Sequence, residues 1–145
     1  MKAKELFPNF KHEIFSKAFD LETPVWEWLP TILKALGDER YISPEAQVHP
    51  SAVIDGPCYI EAGVQVRAHA FLRGGVIALK GAVLGHACEY KNCLLMEKVE
   101  TAHFNFVGDS ILGIGAHLGA GAVCANLRQD KKNIRVLGYD TGLNK

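Results

Sequence analysis

The chain has no net charge, no long apolar run and no paired-cysteine motif, and each absence removes a class of function. Lys and Arg together number 16 and so do Asp and Glu. The positive footprint of a phosphate-backbone binder is therefore missing, and nucleic acid is not an expected partner. No apolar stretch approaches the roughly 18 to 20 residues that span a bilayer, and MKAKELFPNF lacks the apolar core of a signal peptide. A cytoplasmic protein without a membrane partner is expected. Cys58, Cys88, Cys93 and Cys124 form no CxxC pair, so they read as reduced thiols that fill space rather than as a metal site.

What the chain does have is a short repeat. Six-residue units open at Ile42, Val48, Ile54, Ile60, Val66, Leu72, Ala78, Leu84 and Tyr90. The fifth position of each unit is also small or apolar: Ala46, Ala52, Cys58, Val64, Ala70, Val76, Ala82, Cys88 and Leu94. A fixed short period with two inward positions per unit predicts a solenoid in which each unit is one flat side. The expected fold class is all-β, a left-handed parallel β-helix with short N-terminal helices. The expected organisation is a helical arm over residues 1–41, the β-helix over 42–127 and a polar extension over 128–145.

In the arm, Phe7, Phe10, Ile14 and Ala18 recur at helical spacing and predict a helix over Leu6 to Phe19, with Pro8 in its first turn. A second helix is expected to start at Thr23-Pro24 and stop at Gly37, kinked or divided at Pro30. So much aromatic surface needs burial, and capping the open end of the solenoid is the expected role.

Three six-residue sides make one coil, so residues three units apart lie about 4.8 Å from each other on neighbouring coils. Asp55, Arg73 and Lys91 then form one outward column. Two adjacent cations there require an anion or an acidic neighbour. Either a bound anion meets them, or Asp55 pairs with Arg73 and Lys91 is solvated. His69, His86 and His103 recur one residue short of the three-unit spacing, so they should drift by one position per coil, which does not converge ligands on a metal. After Met96 the six-residue register is lost, and residues 97–111 read as an irregular excursion carrying His103, the kind of interruption where binding groups sit. Units reappear at Leu112 and Leu118.

Four stretches carry a resemblance: FLRGG at 71–75, EYKN at 89–92, AHFNFVGDSILG at 102–113 and LGAGAVCANL at 118–127. The segment from Arg73 to Lys132 resembles the left-handed β-helix acyltransferase half of the bacterial bifunctional enzymes that acetylate glucosamine-1-phosphate and then uridylylate it, and their archaeal sugar-1-phosphate relatives. PVWEWLPTIL resembles the linker helix of that family. The family's nucleotidyltransferase domain, with its glycine-rich phosphate loop, has no counterpart here, so nucleotidyl transfer is not expected.

The resemblance implies acetyl-CoA as co-substrate, an amino-sugar phosphate or related sugar nucleotide as acceptor, and a homotrimer with active sites between subunits. It implies that Arg73 and Lys91 hold the sugar phosphate, that His103 is the general base, and that Asn126 helps hold the reacting acetyl and amine groups. Lys132 falls where the family has a further substrate-contacting lysine, and Ala120 would offer backbone contact to the acyl donor. No metal is implied. Phe106 and His117 stand at substrate-contacting positions where the family has tyrosine and asparagine, and Leu127 replaces a further tyrosine. The family's last coils, which complete its acyl-CoA site, are expected to be absent from this chain.

The chemistry is coherent with those roles. An amine attacks a thioester only when unprotonated and loses a proton as the amide forms, and a neutral imidazole can take that proton. Backbone or amide donors can hold the oxyanion, and Cys124 is not needed as a nucleophile. The alternative expectation is a non-catalytic or shortened β-helix module that binds sugar phosphate or serves trimerisation.

Overall fold

A six-residue repeat closes a coil after three units, and parallel pairing at a constant offset is its signature. The computed structural model describes residues 1–8, 10–13, 15, 18–125, 128–133, 135–136 and 139–140. In it Arg40 pairs with Cys58, Gln47 with Gln65 and Val53 with Phe71, each partner lying three repeat units further along the chain. The fold is a left-handed parallel β-helix of about 5 turns, with few helices.

Each coil has three sides. Side one is built from Arg40–Ile42, Cys58–Ile60, residues 76–78 and 93–95, and Ile111–Leu112. Side two stacks Gln47–Val48, Gln65–Val66, Val83–His86, Glu100–His103 and His117–Leu118. Side three stacks Val53–Asp55, residues 71–73 and 89–91, Phe106–Gly108 and Val123–Cys124. The long strands Phe71–Ala78 and Glu89–Leu95 run from side three around a corner onto side one.

From Cys58 onward the inward positions read from the repeat form the core, whereas Ile42 and Val48 in the first coil are exposed. Ile60, Val66, Leu72, Ala78, Leu84 and Tyr90 are buried, as are Cys58, Val64, Ala70, Val76, Ala82, Cys88 and Leu94. Each large aliphatic side chain withdrawn in this way contributes roughly 1.5–3 kcal/mol. The corners are left-handed in backbone conformation and stack as columns. One column is Gly63, Gly81, Lys98 and Gly115, a second His69, Ala87, Phe104 and Gly121, and a third Gly56, Gly74, Asn92 and Asp109, all at positive φ. Glycine accepts that geometry without penalty, and Asn and Asp accept it better than other residues with a Cβ.

The register change differs from the sequence expectation in place and in kind. Arg73 pairs with Lys91, a full three units on, but Val76 pairs with Cys93, one position short of that, so the lost residue is at the Gly74–Gly75 corner and not after Met96. From there the coils keep the shorter length: Glu100 and Thr101 pair with Val83 and Leu84, and Phe106 with Glu89. Residues 97–111 are consequently regular solenoid. The stretch that looks irregular against a period of six is an ordinary coil one residue shorter. His86 and His103 are direct partners rather than drifting ones, and only His69 is out of phase, at a corner.

Residues 36–125 form one compact unit, and residues 1–35 with 126–145 form another. In the second unit, helix α1 covers only Ala3–Leu6, and the described residues between Phe7 and Phe19 are turns and bends rather than the expected helix. Ile14 lies outside the described residues. The aromatics of this region pack on one another instead of lining a helix face: Phe19 meets Phe10 edge-on at 4.6 Å and Trp28 at 5.1 Å, and Phe7 stacks on Trp28 at 5.6 Å. Trp28 Nε1 donates to Asp20 O at 2.7 Å. Helix α2, Val25–Leu36, runs through Pro30 without interruption and ends at Gly37, whose φ of 58° reverses the chain. Strands Arg135–Val136 and Tyr139–Asp140 form a small antiparallel pair.

Candidate active site

Side three is bounded by two corners, and the candidate residues divide between them. At the third-corner edge, Asp55, Arg73 and Lys91 are successive register partners, as the three-unit coil requires. Both cations are half-buried and both are neutralised, though not by Asp55. Arg73 Nε donates to Glu89 Oε1 at 2.6 Å, and Lys91 Nζ to Asp109 Oδ2 at 3.3 Å. Asp109 also accepts from Asn92 Nδ2 at 3.1 Å. Each cation thus has its own carboxylate beside the column, which answers the like-charge conflict while leaving two adjacent cations on one edge.

His103 stands at the opposite edge, as the last residue of side two before the Phe104 corner. It is exposed, and among the described residues its ring has no hydrogen-bond partner. A short ladder of rings runs beside it: His69 and His86 are 5.7 Å apart, and His86 and Phe104 5.4 Å apart, both edge-on. Phe104 is 61% exposed. Crossing side three from one edge to the other takes five residues, on the order of 10–15 Å at the rise of a strand. Within one copy, His103 and the Arg73–Lys91 pair therefore do not converge on one monosaccharide.

The remaining candidates scatter around this frame. Phe106 lies on side three with its ring folded over Gly108, where a Cβ would meet ring carbons at 2.6 Å and 2.7 Å. His117 is one coil beyond Glu100 on side two, its Nδ1 3.5 Å from Glu100 Oε2, with both side chains well exposed. Ala120 is exposed in the turn closed by Ala122 N donating to Gly119 O at 3.2 Å. Lys132 is exposed and belongs to the other unit. Asn126 and Leu127 lie outside the described residues. Among the described residues no group of three or more His, Cys, Asp or Glu is placed to hold a metal ion, and no helix is long and apolar enough to cross a membrane.

Beneath His103 lies a buried polar network that the repeat pattern does not announce. Thr101 takes an inward position otherwise aliphatic, and its Oγ1 donates to Val83 O at 3.0 Å. The Tyr90 hydroxyl donates to Thr101 Oγ1 at 2.6 Å and accepts from Gly85 N at 2.9 Å. Every group in this chain of bonds is satisfied, the condition for a buried network to rigidify its surroundings. Burial pushes the Tyr90 phenol far above its ordinary range, so it serves as a neutral donor. Gly85 is required: a Cβ there would overlap the carbonyls of Thr101 and Ala102, the two residues that lead into His103. The signal available in the sequence is the pair of polar residues, Thr101 and Asn105, at positions that are inward once the shorter coil is recognised.

Fold and sequence similarity together fit a left-handed β-helix domain of the acetyltransferase type. No protein-family model matches the chain. The chain is similar to proteins named bifunctional protein GlmU. It is 35% identical over 82 residues to that of Cyanothece sp. (strain PCC 7425), covering 57% of this chain and 18% of the relative. It is 29% identical over 104 residues to that of Thermus thermophilus, covering 72% and 23%. With that of Methanococcus maripaludis it shares 33% over 67 residues, covering 46% and 16%. The chain thus spans less than a quarter of the length of each of these three relatives.

Proposed function

We propose that this chain is an acyl-CoA-dependent N-acetyltransferase acting on the amine of an amino-sugar phosphate or a related sugar nucleotide, with acetyl-CoA as co-substrate and a homotrimer as the working form. The reading rests on one observation above the others: Arg73 and Lys91 are direct register partners on one edge of side three. That pair offers a phosphate two cations from adjacent coils, with guanidinium geometry suited to bidentate contact. His103 on the opposite edge supplies a base, and the separation of the two edges within one copy is the reason a neighbouring copy is needed. One copy's cation column then faces another's His103.

In the reaction, the sugar amine attacks the thioester carbonyl carbon and a C–N bond forms. His103 takes the amine proton as charge develops, and the backbone N–H of Ala120 holds the oxyanion. Collapse breaks the C–S bond and releases the CoA thiolate, which is reprotonated. No step requires an enzyme-bound acyl group. Phe106 favours a second reading, sugar-phosphate binding without catalysis, because its packed ring offers no hydroxyl to a substrate. Thiol release from acetyl-CoA with glucosamine-1-phosphate and a panel of small amines separates the two: acceptor-dependent release supports transfer, and binding of the sugar phosphate with no release supports the second reading.

A further inference from the structure

Asn105 occupies an inward position that the preceding coils give to Ala52, Ala70 and Cys88, and it is only 3% exposed. An amide at a site shaped for a methyl group or a thiol has to reach along the solenoid axis for its partners, and it does so in both directions. Towards the preceding coil, its backbone N donates to Cys88 Sγ at 3.3 Å, its carbonyl accepts from Glu89 N at 2.9 Å, and its Oδ1 faces the Cys88 thiol at 3.6 Å. Towards the following coil, its Nδ2 donates to Gly119 O at 2.7 Å and approaches Ala122 O at 3.4 Å. Carbonyls only accept, so the orientation of the amide is set by chemistry.

The segment it grips is the turn containing Ala120. A second bond ties that turn to the same coil, from Gly121 N to His103 O at 3.1 Å. Packing contributes little: a Cβ built on Gly119 or Gly121 would meet nothing within 4 Å. The turn is therefore held over the His103 coil chiefly by directional bonds: two backbone bonds, at His103 O and from Phe106 N to Ala122 O at 3.1 Å, and one from the Asn105 side chain, the only one of the three that reaches Gly119.

We infer that Asn105 is a positioning residue for the proposed transfer: it fixes the 119–122 turn relative to His103, so that a thioester held at that turn meets an amine beside the base. The inference rests on the reading given under Proposed function. Placement errors of an ångström in such a site cost up to about a hundredfold in rate, while one lost neutral hydrogen bond changes an equilibrium by about tenfold at most.

Asn105→Ala returns the position to the residue type of the earlier coils and so preserves the fold. Asn105→Asp keeps the shape but presents a carboxylate to two carbonyls. Amide hydrogen exchange on the full chain reads the clamp directly. In Asn105→Ala, Gly121 and Ala122 exchange about three- to tenfold faster, while Gln65 and Val83 on side two are unchanged. Kinetics read its use: kcat falls about 10- to 100-fold and KM for acetyl-CoA rises severalfold, with KM for glucosamine-1-phosphate within about twofold. Asn105→Asp shows the same loss at neutral pH and recovers relative to wild type as the pH is lowered, because the protonated carboxyl can again donate to Gly119 O. Unchanged exchange at Gly121 and Ala122 overturns the clamp. Accelerated exchange with wild-type kinetics overturns the positioning role. Accelerated exchange in a protein whose wild type transfers acetyl to no amine leaves the clamp standing but overturns its catalytic use, and with it the functional reading.

Discussion

Gly75 donates its backbone N–H to the side-chain Oδ1 of Asn92 at 3.1 Å, at the corner where full three-unit coils give way to coils one residue shorter. The shorter coil has one backbone residue too few to answer Gly75, and the Asn92 amide takes its place, as at a β-bulge where two residues oppose one. Asn92 also adopts a φ of 48° and passes its Nδ2 to Asp109, the partner of Lys91. One side chain thus closes the register change and braces the cation column.

Asn92→Ala removes both bonds and retains a Cβ at positive φ, whereas Asn92→Gly removes the bonds but relieves the backbone. The expected losses are about 2–3 kcal/mol for alanine and about 1 kcal/mol less for glycine, measured by urea denaturation. Equal losses would show that backbone conformation at this corner carries no cost.

The Gly85–Tyr90–Thr101 network predicts strong coupling. Tyr90→Phe strands the Gly85 N–H in the dry interior at a cost of about 1–3 kcal/mol. Thr101→Val removes the acceptor that the same hydroxyl uses. The double variant should be more stable than the sum of the single effects predicts by about 1 kcal/mol. Additive losses would mean that the two hydroxyls act independently.

Burial raises the Cys58 thiol above its ordinary range, and the Cys93 thiol much further. Both therefore stay protonated at mildly alkaline pH, where an ordinary thiol begins to ionise. Native alkylation at pH 8 should label Cys124, the one cysteine that is not buried, and spare Cys58, Cys88 and Cys93 until the protein is unfolded. Mass spectrometry of the labelled peptides gives the order directly. Early labelling of Cys93 would contradict the dry core of side one.

The solenoid was legible because its signal is periodic: an aliphatic residue every six positions has one simple solution, and the inward set from Ile60 to Leu94 is buried as read. The column of Asp55, Arg73 and Lys91 was legible for the same reason. What a fixed period could not show was the place of its own interruption. One residue lost beside Gly74 and Gly75 shifts every later position, so residues 97–111 look irregular, and Thr101 and Asn105 look like loop polars although they point inward. The arm was misread for a different reason. Phe7, Phe10, Ile14 and Ala18 satisfy helical spacing, but a short isolated helix is marginal, and the rings of Phe7, Phe10 and Phe19 pack on Trp28 and one another instead. The acid partners of the cations were also missed, because Glu89 reaches Arg73 diagonally, from a position not directly opposite on the next coil.

If a site lies between copies, inactive variants can complement one another. A protein carrying Arg73→Ala and Lys91→Ala, and a second carrying His103→Ala, should each be inactive, and refolding them together should restore part of the wild-type rate through hybrid sites. Each cation variant alone should raise KM for the sugar phosphate at least about tenfold, as expected when a charge-assisted bond to phosphate is lost. Mixed assemblies with no recovered activity would place the base and the cations in the same copy, against the separation seen across side three.

The most direct measurement is acetyl transfer to glucosamine-1-phosphate by wild type and by His103→Ala, with the N-acetylated product identified by mass and the assembly state of both proteins verified. The predicted result is turnover by wild type and a kcat lower by about 10²- to 10⁴-fold in the variant. Equal background rates in both proteins, with the same assembly, would contradict the assignment of this β-helix as an acetyltransferase with His103 as its base.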